Sequence, residues 1–384
     1  MVFLEIYVKI KKGRGERMIT PRHLIKKYKG DYRMIVVSDI HGHLDRFQAL
    51  LRKVHYTPQD YLVILGDFVE KGDQVIETIH YIQELSKRER VFVLMGNCEW
   101  ALDALLTVPE LANQIKGYLK RVSSNGCIRE VYHRLHLDQG HETMLGVQKQ
   151  IADYLHDELA FISHLPVTLK WNQFLFVHAG VEKRKDYKKS SLSSLLEMKY
   201  FYHQGHLLDE IVVVGHLPTS NYYPDQICND VIIDEDKRII CVDGGTGVKS
   251  ISQLNALIIE SQEGVIHYSQ DYVQPLPYHE VLYDIDSINK TKHKIAYPYF
   301  EVEIIKHGEQ FNDCYQKDTN QYLKIKNEFL YSRENHTYCL DDYTDYFISA
   351  KKGDLVKVVG IYDQYAYVIH QGEVGWIELK CINL

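Results

Sequence analysis

The chain has 384 residues, of which 45% are apolar and 25% charged, with a formal net charge of −7, the balance of a globular protein. That charge excludes wholesale nucleic-acid binding, which needs a broad basic surface. No apolar run approaches the ~18 residues that span a bilayer, and the length suggests two domains or one large domain with an appendage.

From the N-terminus, Met1–Arg17 places apolar residues first and charges after, the reverse of a secretory signal. A cytoplasmic protein is therefore expected, with residues 1–31 as an N-terminal extension. Short β-branched apolar runs then recur at Met34–Val37, Tyr61–Leu65, Val91–Met95, Phe174–Val177, Ile211–Val214 and Ile239–Val242. Runs this short and apolar on both faces suit central strands of a covered sheet. Between the first three lie helical stripes, Leu44–Phe47–Leu50–Leu51–Val54 and Val75–Ile76–Ile79–Ile82–Leu85, so the order predicts an α/β sheet with crossovers.

Residues from about 99 to 165 are helical in pattern, with breaks near Pro109 and at Ser123-Ser124-Asn125-Gly126, and are read as an insertion within a catalytic domain spanning 32–270. Asn255–Glu260 and Val265–Tyr268 resemble a closing hairpin. Residues 271–335 begin with a Pro- and Tyr-punctuated stretch read as a linker, followed by β structure of uncertain arrangement. Seven cysteines, at 98, 127, 228, 241, 314, 339 and 381, contain no CxxC pair, which argues against a disulfide framework or structural zinc. No repeat of convincing period is visible.

Each apolar run delivers polar residues of one kind. The first runs into Ser38-Asp39-Ile40-His41-Gly42-His43, the second into Gly66-Asp67-Phe68-Val69-Glu70-Lys71-Gly72, and the third into Gly96-Asn97-Cys98-Glu99. Later runs give Val177-His178-Ala179-Gly180 and Val214-Gly215-His216-Leu217-Pro218. In open α/β sheets ligands bind beyond the carboxyl ends of the strands, so these loops are expected to converge. Two cations about 3.5–4 Å apart clamp a phosphate and turn a bridging water into hydroxide. An aspartate such as Asp67 can bridge them, and an imidazole–carboxylate set suits manganese, iron or zinc better than calcium.

These motifs resemble those of the calcineurin-like metallophosphoesterases, and within them the phosphoprotein phosphatases and bacterial diadenosine-tetraphosphatases. The family pattern GDxHG, GDxVDRG, GNHE, HAG and GHTP stands against SDIHG, GDFVEKG, GNCEW, VHAG and GHLPT here. The resemblance covers about Tyr32 to Ser269 and implies an α/β two-sheet sandwich flanked by helices. It implies two divalent cations, manganese first, with Asp39 and His41 on one, Asp67 bridging, and Asn97, His178 and His216 completing the other. Pro218, where phosphodiesterases of the superfamily carry a further histidine, favours the phosphatase branch.

The chain departs from the pattern at several places. Cys98 replaces the histidine that acts as general acid in the family. A thiol is a weaker hydrogen-bonding donor than imidazolium, and losing a general acid costs about 10²–10⁴ in rate. Cys98 is either a feeble substitute or a small spacer. Lys71 replaces a phosphate-clamping arginine, and Lys199 aligns with a second, unless it belongs to a solvated helix face; each swap keeps the charge but loses the bidentate fork. His43 either approaches the phosphate or is an exposed loop residue. Asp243-Gly244-Gly245 is read as a backbone turn near the site.

Residues 336–384 resemble a Src-homology-3-like barrel through Leu340-Asp341-Asp342-Tyr343, Lys352-Gly353-Asp354 and Gly375-Trp376-Ile377. The resemblance implies a peptide or protein partner held in a groove of Tyr343, Tyr365, Tyr367 and Trp376; a packing module is the other reading. The leading functional expectation is a metal-dependent hydrolase of phosphate monoesters, with phosphoserine or phosphothreonine in proteins as substrate. A second is hydrolysis of a nucleotide, dinucleoside polyphosphate or diester, favoured by Cys98 and the lost arginines. A third is a catalytically weak metal-binding scaffold.

Overall fold

The computed structural model of the protein describes residues 21–120, 125–139, 142–288 and 291–384. Residues 1–20 of the expected extension and the Ser123-Ser124 break lie outside the described residues. The chain forms two compact units. One runs through Leu217 and takes in Val231–Gly247 and Leu254–Val273; the other comprises Pro218–Asp230, Val248–Gln253 and Gln274–Leu384.

In chain order, the first unit contains β1 (His23–Lys26), β2 (Tyr32–Val37), α1 (Leu44–Lys53), β3 (Tyr61–Ile64), α2 (Val75–Ser86) and β4 (Val91–Val93). A helical stretch follows: α3 (Asn97–Thr107), α4 (Ala112–Leu119), α5 (Cys127–Arg134), α6 (Met144–Tyr154) and α7 (His156–Ser163). Then come β5 (Thr168–Trp171), β6 (Phe174–Val177), α8 (Leu192–Glu197), β7 (Ile211–Val214), β8 (Ile232–Asp234), β9 (Ile239–Cys241), β10 (Leu254–Gln262) and β11 (Val265–Val273). One sheet has the order β11-β10-β2-β3-β4, the other β1-β5-β6-β7-β9-β8.

Why these segments become strands is clearest at the centre of each sheet. Met34, Val36, Val63 and Leu65 from one sheet and Phe174, Phe176, Val213 and Ile240 from the other meet in one core. Burying each such side chain stabilises by roughly 1.5–3 kcal/mol. The alternate residues Ile35, Leu62 and Ile64 are also fully buried, under the helices, so the runs are apolar throughout. Residues 23–26, expected in the extension, instead form an edge strand parallel to β5, with His23 opposite Thr168.

Topology then positions the loops. β2, β3 and β4 are parallel, as are β6, β7 and β9. Six strand ends therefore open in consistent directions, three from each sheet.

The second unit holds β12 (Tyr278–Val281), β13 (Lys294–Ile295), β14 (Glu301–Lys306), β15 (Phe311–Gln316), β16 (Gln321–Lys326), β17 (Leu330–Arg333), β18 (His336–Cys339), β19 (Tyr343–Thr344), β20 (Leu355–Tyr362), β21 (Tyr365–His370), β22 (Glu373–Glu378) and β23 (Ile382–Asn383). Its two five-stranded sheets share one plan. In each, three meandering strands are followed by a three-residue 3₁₀ turn and a short closing strand: β20-β21-β22 then β23, and β14-β15-β16 then β17. In each, a fifth strand bridges the closing strand and the first of the meander. That bridging strand is β12 in one sheet, preceding the meander; it is β18 in the other, following it. The β14–β18 sheet is thus inserted between β12 and β20.

The expected C-terminal β domain is present, but it reaches beyond the expected bounds of 336–384. One of its sheets draws its bridging strand from residues 278–281, inside the stretch read as a linker. Three of the four residues expected to line an aromatic groove are interior: Tyr343 and Trp376 are 0% exposed and Tyr367 is 1% exposed, while Tyr365 is half-buried. Phe329, from the turn after β16, packs on Tyr343, Tyr367 and Trp376 at 5.1, 5.6 and 5.7 Å between ring centres. Phe311 contacts Tyr365 and Trp376 at 5.1 and 5.6 Å. The polar ends are satisfied internally: Tyr343 donates to Lys324 O at 2.8 Å, and the Trp376 indole to Thr344 O at 2.9 Å. No helix among the described residues is long and apolar enough to cross a membrane.

Candidate metal centre

The loops after β2, β3, β4, β6 and β7 bring Asp39, His41, Asp67, Asn97, His178 and His216 together. Asp67 lies at the middle. Its Oδ1 is 3.5 Å from His178 Nε2, and its Oδ2 is 3.9 Å from His41 Nε2, which is itself 3.7 Å from Asp39 Oδ1. One end of the Asn97 amide lies 3.0 Å from His178 Nε2, 2.9 Å from His216 Nδ1 and 3.3 Å from Asp67 Oδ2. His41, Asp67 and Cys98 offer donor atoms within 4.8 Å of one another, and so do Asp67, His178 and His216.

Backbone conformation marks the same residues. Asp39, His41, Asp67 and His216 hold φ angles of +53, +49, +51 and +68°, the left-handed region that side chains disfavour. Glu70 and Lys71 are left-handed as well. Strain of this kind costs on the order of 1–3 kcal/mol per residue and persists only where the surroundings over-determine it. Here close packing does so. A Cβ on Gly96 would collide with Asp67, and one on Gly215 with Ser38 and Asp39.

Neighbouring groups fix which atoms face inward. His41 Nδ1 is 3.2 Å from Val69 O and His178 Nδ1 is 3.0 Å from Leu65 O. Each imidazole therefore donates from Nδ1 and presents Nε2, the second-sphere arrangement that orients metal-binding histidines. Asp39 Oδ2 accepts from the Ser38 hydroxyl and, at 2.9 Å, from the His216 amide. Glu99 accepts from the amides of Asp67, Phe68, Val69 and Gly96 at 2.8 to 3.1 Å. One carboxylate thus shapes the loop that presents Asp67.

The charges fit cations. Burial pushes His41 down to about 3, with Lys71 adding to the effect. Burial and His178 do the same to His216. Asp67 is raised by burial, but His178, His41 and Lys71 outweigh that and hold it below the usual carboxylate range. Asp39 is raised by burial, with Asp67 adding to the rise while His178 opposes it. Asp243, at the end of β9, is pushed well up by burial and by Asp39. Its Oδ1 accepts from Gly245, while its Oδ2 is buried with no hydrogen-bond partner. Three buried carboxyls beside three imidazoles and an orphaned oxygen suit divalent cations, because burying like charges without compensation is costly.

The remaining expected residues are placed as follows. Lys71 Nζ is 2.8 Å from His41 Nε2, inside the cluster. The Cys98 amide donates to Asp67 Oδ1 at 2.8 Å and its thiol to Oδ2 at 3.1 Å. Burial, with Asp67, pushes that thiol well up. His43 Nδ1 is 2.7 Å from His41 O, which turns the ring toward the backbone. Lys199 is exposed on the turn after α8, where its charge reaches His216. Sequence reasoning assigned no role to Glu99 and read Asp243 only as a turn. The signal for Glu99 was available: a glutamate three residues after Gly96 is the capping-box position of α3.

The family model for calcineurin-like phosphoesterases matches residues 32–242. The chain belongs to that family. Calcineurin-like phosphoesterases use a dinuclear metal site, and the candidate ligands here converge as such a site requires. The chain is similar to the symmetrical bis(5'-nucleosyl)-tetraphosphatase of Pseudomonas syringae pv. syringae, 40% identical over 76 residues, covering 20% of this chain and 25% of that protein. It is likewise similar to the one from Glaesserella parasuis, 29% identical over 152 residues, covering 39% and 46%. The chain thus spans between a quarter and about half of these relatives. A protein serine/threonine phosphatase from Saccharomyces cerevisiae superposes with a TM-score of 0.40 at 12% identity, covering 72% of this chain and 89% of that one.

Proposed function

We propose that this phosphoesterase cleaves phosphoanhydride bonds in a nucleotide or dinucleoside polyphosphate, in preference to the phosphoserine or phosphothreonine monoesters of the leading sequence reading. The observation that carries this is Cys98. Its thiol is fully buried and committed to Asp67 Oδ2 at 3.1 Å, so no proton donor stands ready at that position for a leaving alkoxide. A serine or threonine alkoxide is a poor leaving group and needs such an acid. A nucleotide phosphate departs as a stable anion and does not. The relatives named as bis(5'-nucleosyl)-tetraphosphatases support the same substrate class.

In this reading Asp39, His41, Asp67, Asn97, His178 and His216 hold two divalent cations, with manganese, iron or zinc suited to the donor set. The cations supply Lewis acidity and activate water as the nucleophile. The chain's own contribution is orientation. The Ser38 hydroxyl and His216 amide fix Asp39, the Val69 and Leu65 carbonyls fix the two imidazoles, and Glu99 holds the Asp67 loop. Lys71 adds a point charge for phosphate oxygens, without the fork of an arginine. The test is a hydrolysis panel with manganese-loaded protein: diadenosine tetraphosphate, ATP, a phosphoserine peptide, and matched aryl mono- and diesters. Turnover of the anhydrides well above that of the peptide is expected. A phosphopeptide preference would restore the monoester reading, and stoichiometric metal without turnover of any substrate would leave the scaffold.

A further inference from the structure

The second unit contains a cavity of about 330 Å³, within the range of small-ligand sites. Its walls include Tyr223, Ile227, Thr344 and Val374, with Lys294 and Asp225 among the polar groups. Asp225 stands on the exposed side, whereas Lys294 is only 9% exposed.

Lys294 is unusual in what surrounds it. Its ammonium donates to the backbone oxygens of Ser220 and Tyr223 at 2.6 and 2.7 Å. Both acceptors are neutral, and together they use two of its three protons. Two of the nearby carboxylates are engaged by other cations, whereas Asp225, on the exposed side of the wall, pulls on Lys294 through charge alone. Asp342 pairs with Lys249 at 2.5 Å and accepts from Ser220 at 2.8 Å; Glu373 pairs with Lys292. Among the described residues no carboxylate forms an ion pair with Lys294. A buried cation without a counter-ion is costly, and burial lowers this ammonium to about 8, against the pull of Asp342 and with Lys249 adding to the fall. A recess bordered by such a cation, with Pro224, Ile227 and Val374 as apolar wall, has the attributes of an anion site.

We propose that this cavity binds a small organic anion, a phosphate or carboxylate on a compact apolar body, with Lys294 as its counter-ion. All of its lining residues belong to the second unit, and its occupation does not depend on the substrate reading above.

The experiment is calorimetric titration of the full chain, stripped of metal with a chelator, using phenyl phosphate and benzoate as probes. Saturable one-to-one binding of at least one probe is expected. It should weaken at least tenfold in Lys294→Gln and in Gln226→Trp. The second variant narrows the cavity from an exposed wall position, leaves the lysine in place, and decides the matter if Lys294→Gln fails to fold. Phenyl phosphate alone would identify a phosphoryl ligand, benzoate alone a carboxylate, and both a general anion site. Neither probe binding, or binding unchanged in Gln226→Trp, would overturn the proposal.

Discussion

Two clusters of buried side chains, one in each unit, invite the same kind of functional reading and turn out differently. At the ends of the parallel strands, aspartates, histidines and an asparagine crowd together with left-handed backbones. In the second unit, Tyr343, Tyr367 and Trp376 crowd together around Phe329. The first set consists of groups that are expensive to bury, so their convergence demands an external partner. The second consists of groups that are favourable to bury, and they cover one another. Buried polarity is therefore a much sharper indicator of a site than clustered aromatics, which serve a groove and a core equally well.

Substitutions can break this contrast. Asp67→Asn should have the largest effect, lowering kcat/KM by about 10³-fold or more and reducing bound metal. Parallel assays of hydrolysis and metal content would check it, and full activity would remove Asp67 from the centre. Trp376→Ala should lower unfolding stability by about 3–5 kcal/mol in chemical denaturation. A groove residue would instead leave stability near wild type.

Glu70 offers a finer probe. It is buried against the Tyr118 hydroxyl, and its carboxyl is raised to about 7 by burial. A raised native pKa means the native state keeps a proton that the unfolded chain releases near pH 4.5. The associated stability is present below that pH and is lost as pH rises through 7. Glu70→Gln should remove this dependence. The stability gap between variant and wild type should then shift by at most about 3 kcal/mol in the variant's favour from pH 4 to pH 8. Metal-free denaturation at the two pH values measures it, and a constant gap would contradict the assignment. Glu99→Gln should weaken metal binding about 10–100-fold, the typical cost of losing an orienting neighbour, as read by titration with manganese.

Much of the first unit was legible before any coordinates. Strands such as Ile211–Val214 are short, β-branched and buried on both faces, and each ends at a chemically distinctive residue. Less was legible where a residue's role depends on what lies opposite. Nothing in the sequence says that the Cys98 thiol points at Asp67, or that Asp243 leaves one oxygen unpartnered. His23–Lys26 shows no apolar run because an edge strand is half exposed. The second unit was harder still. Its strands are short and rich in tyrosine, and the pairing of β12 with β23 joins residues far apart in the chain, beyond the reach of any local pattern.

That pairing also governs how the second unit comes together. Glu280 meets Asn383 and Val281 meets Ile382, contacts roughly 100 residues apart, which carry a heavy loop-closure entropy if made first. The inserted sheet lies wholly within that interval and is joined by local turns, Arg333 facing His336 across the last of them. Formed first, it draws the two distant segments together and shortens the effective search. The nested arrangement thus implies an assembly sequence, inner sheet before outer. During synthesis the outer sheet must wait, open along one side, until residues 382 and 383 have emerged.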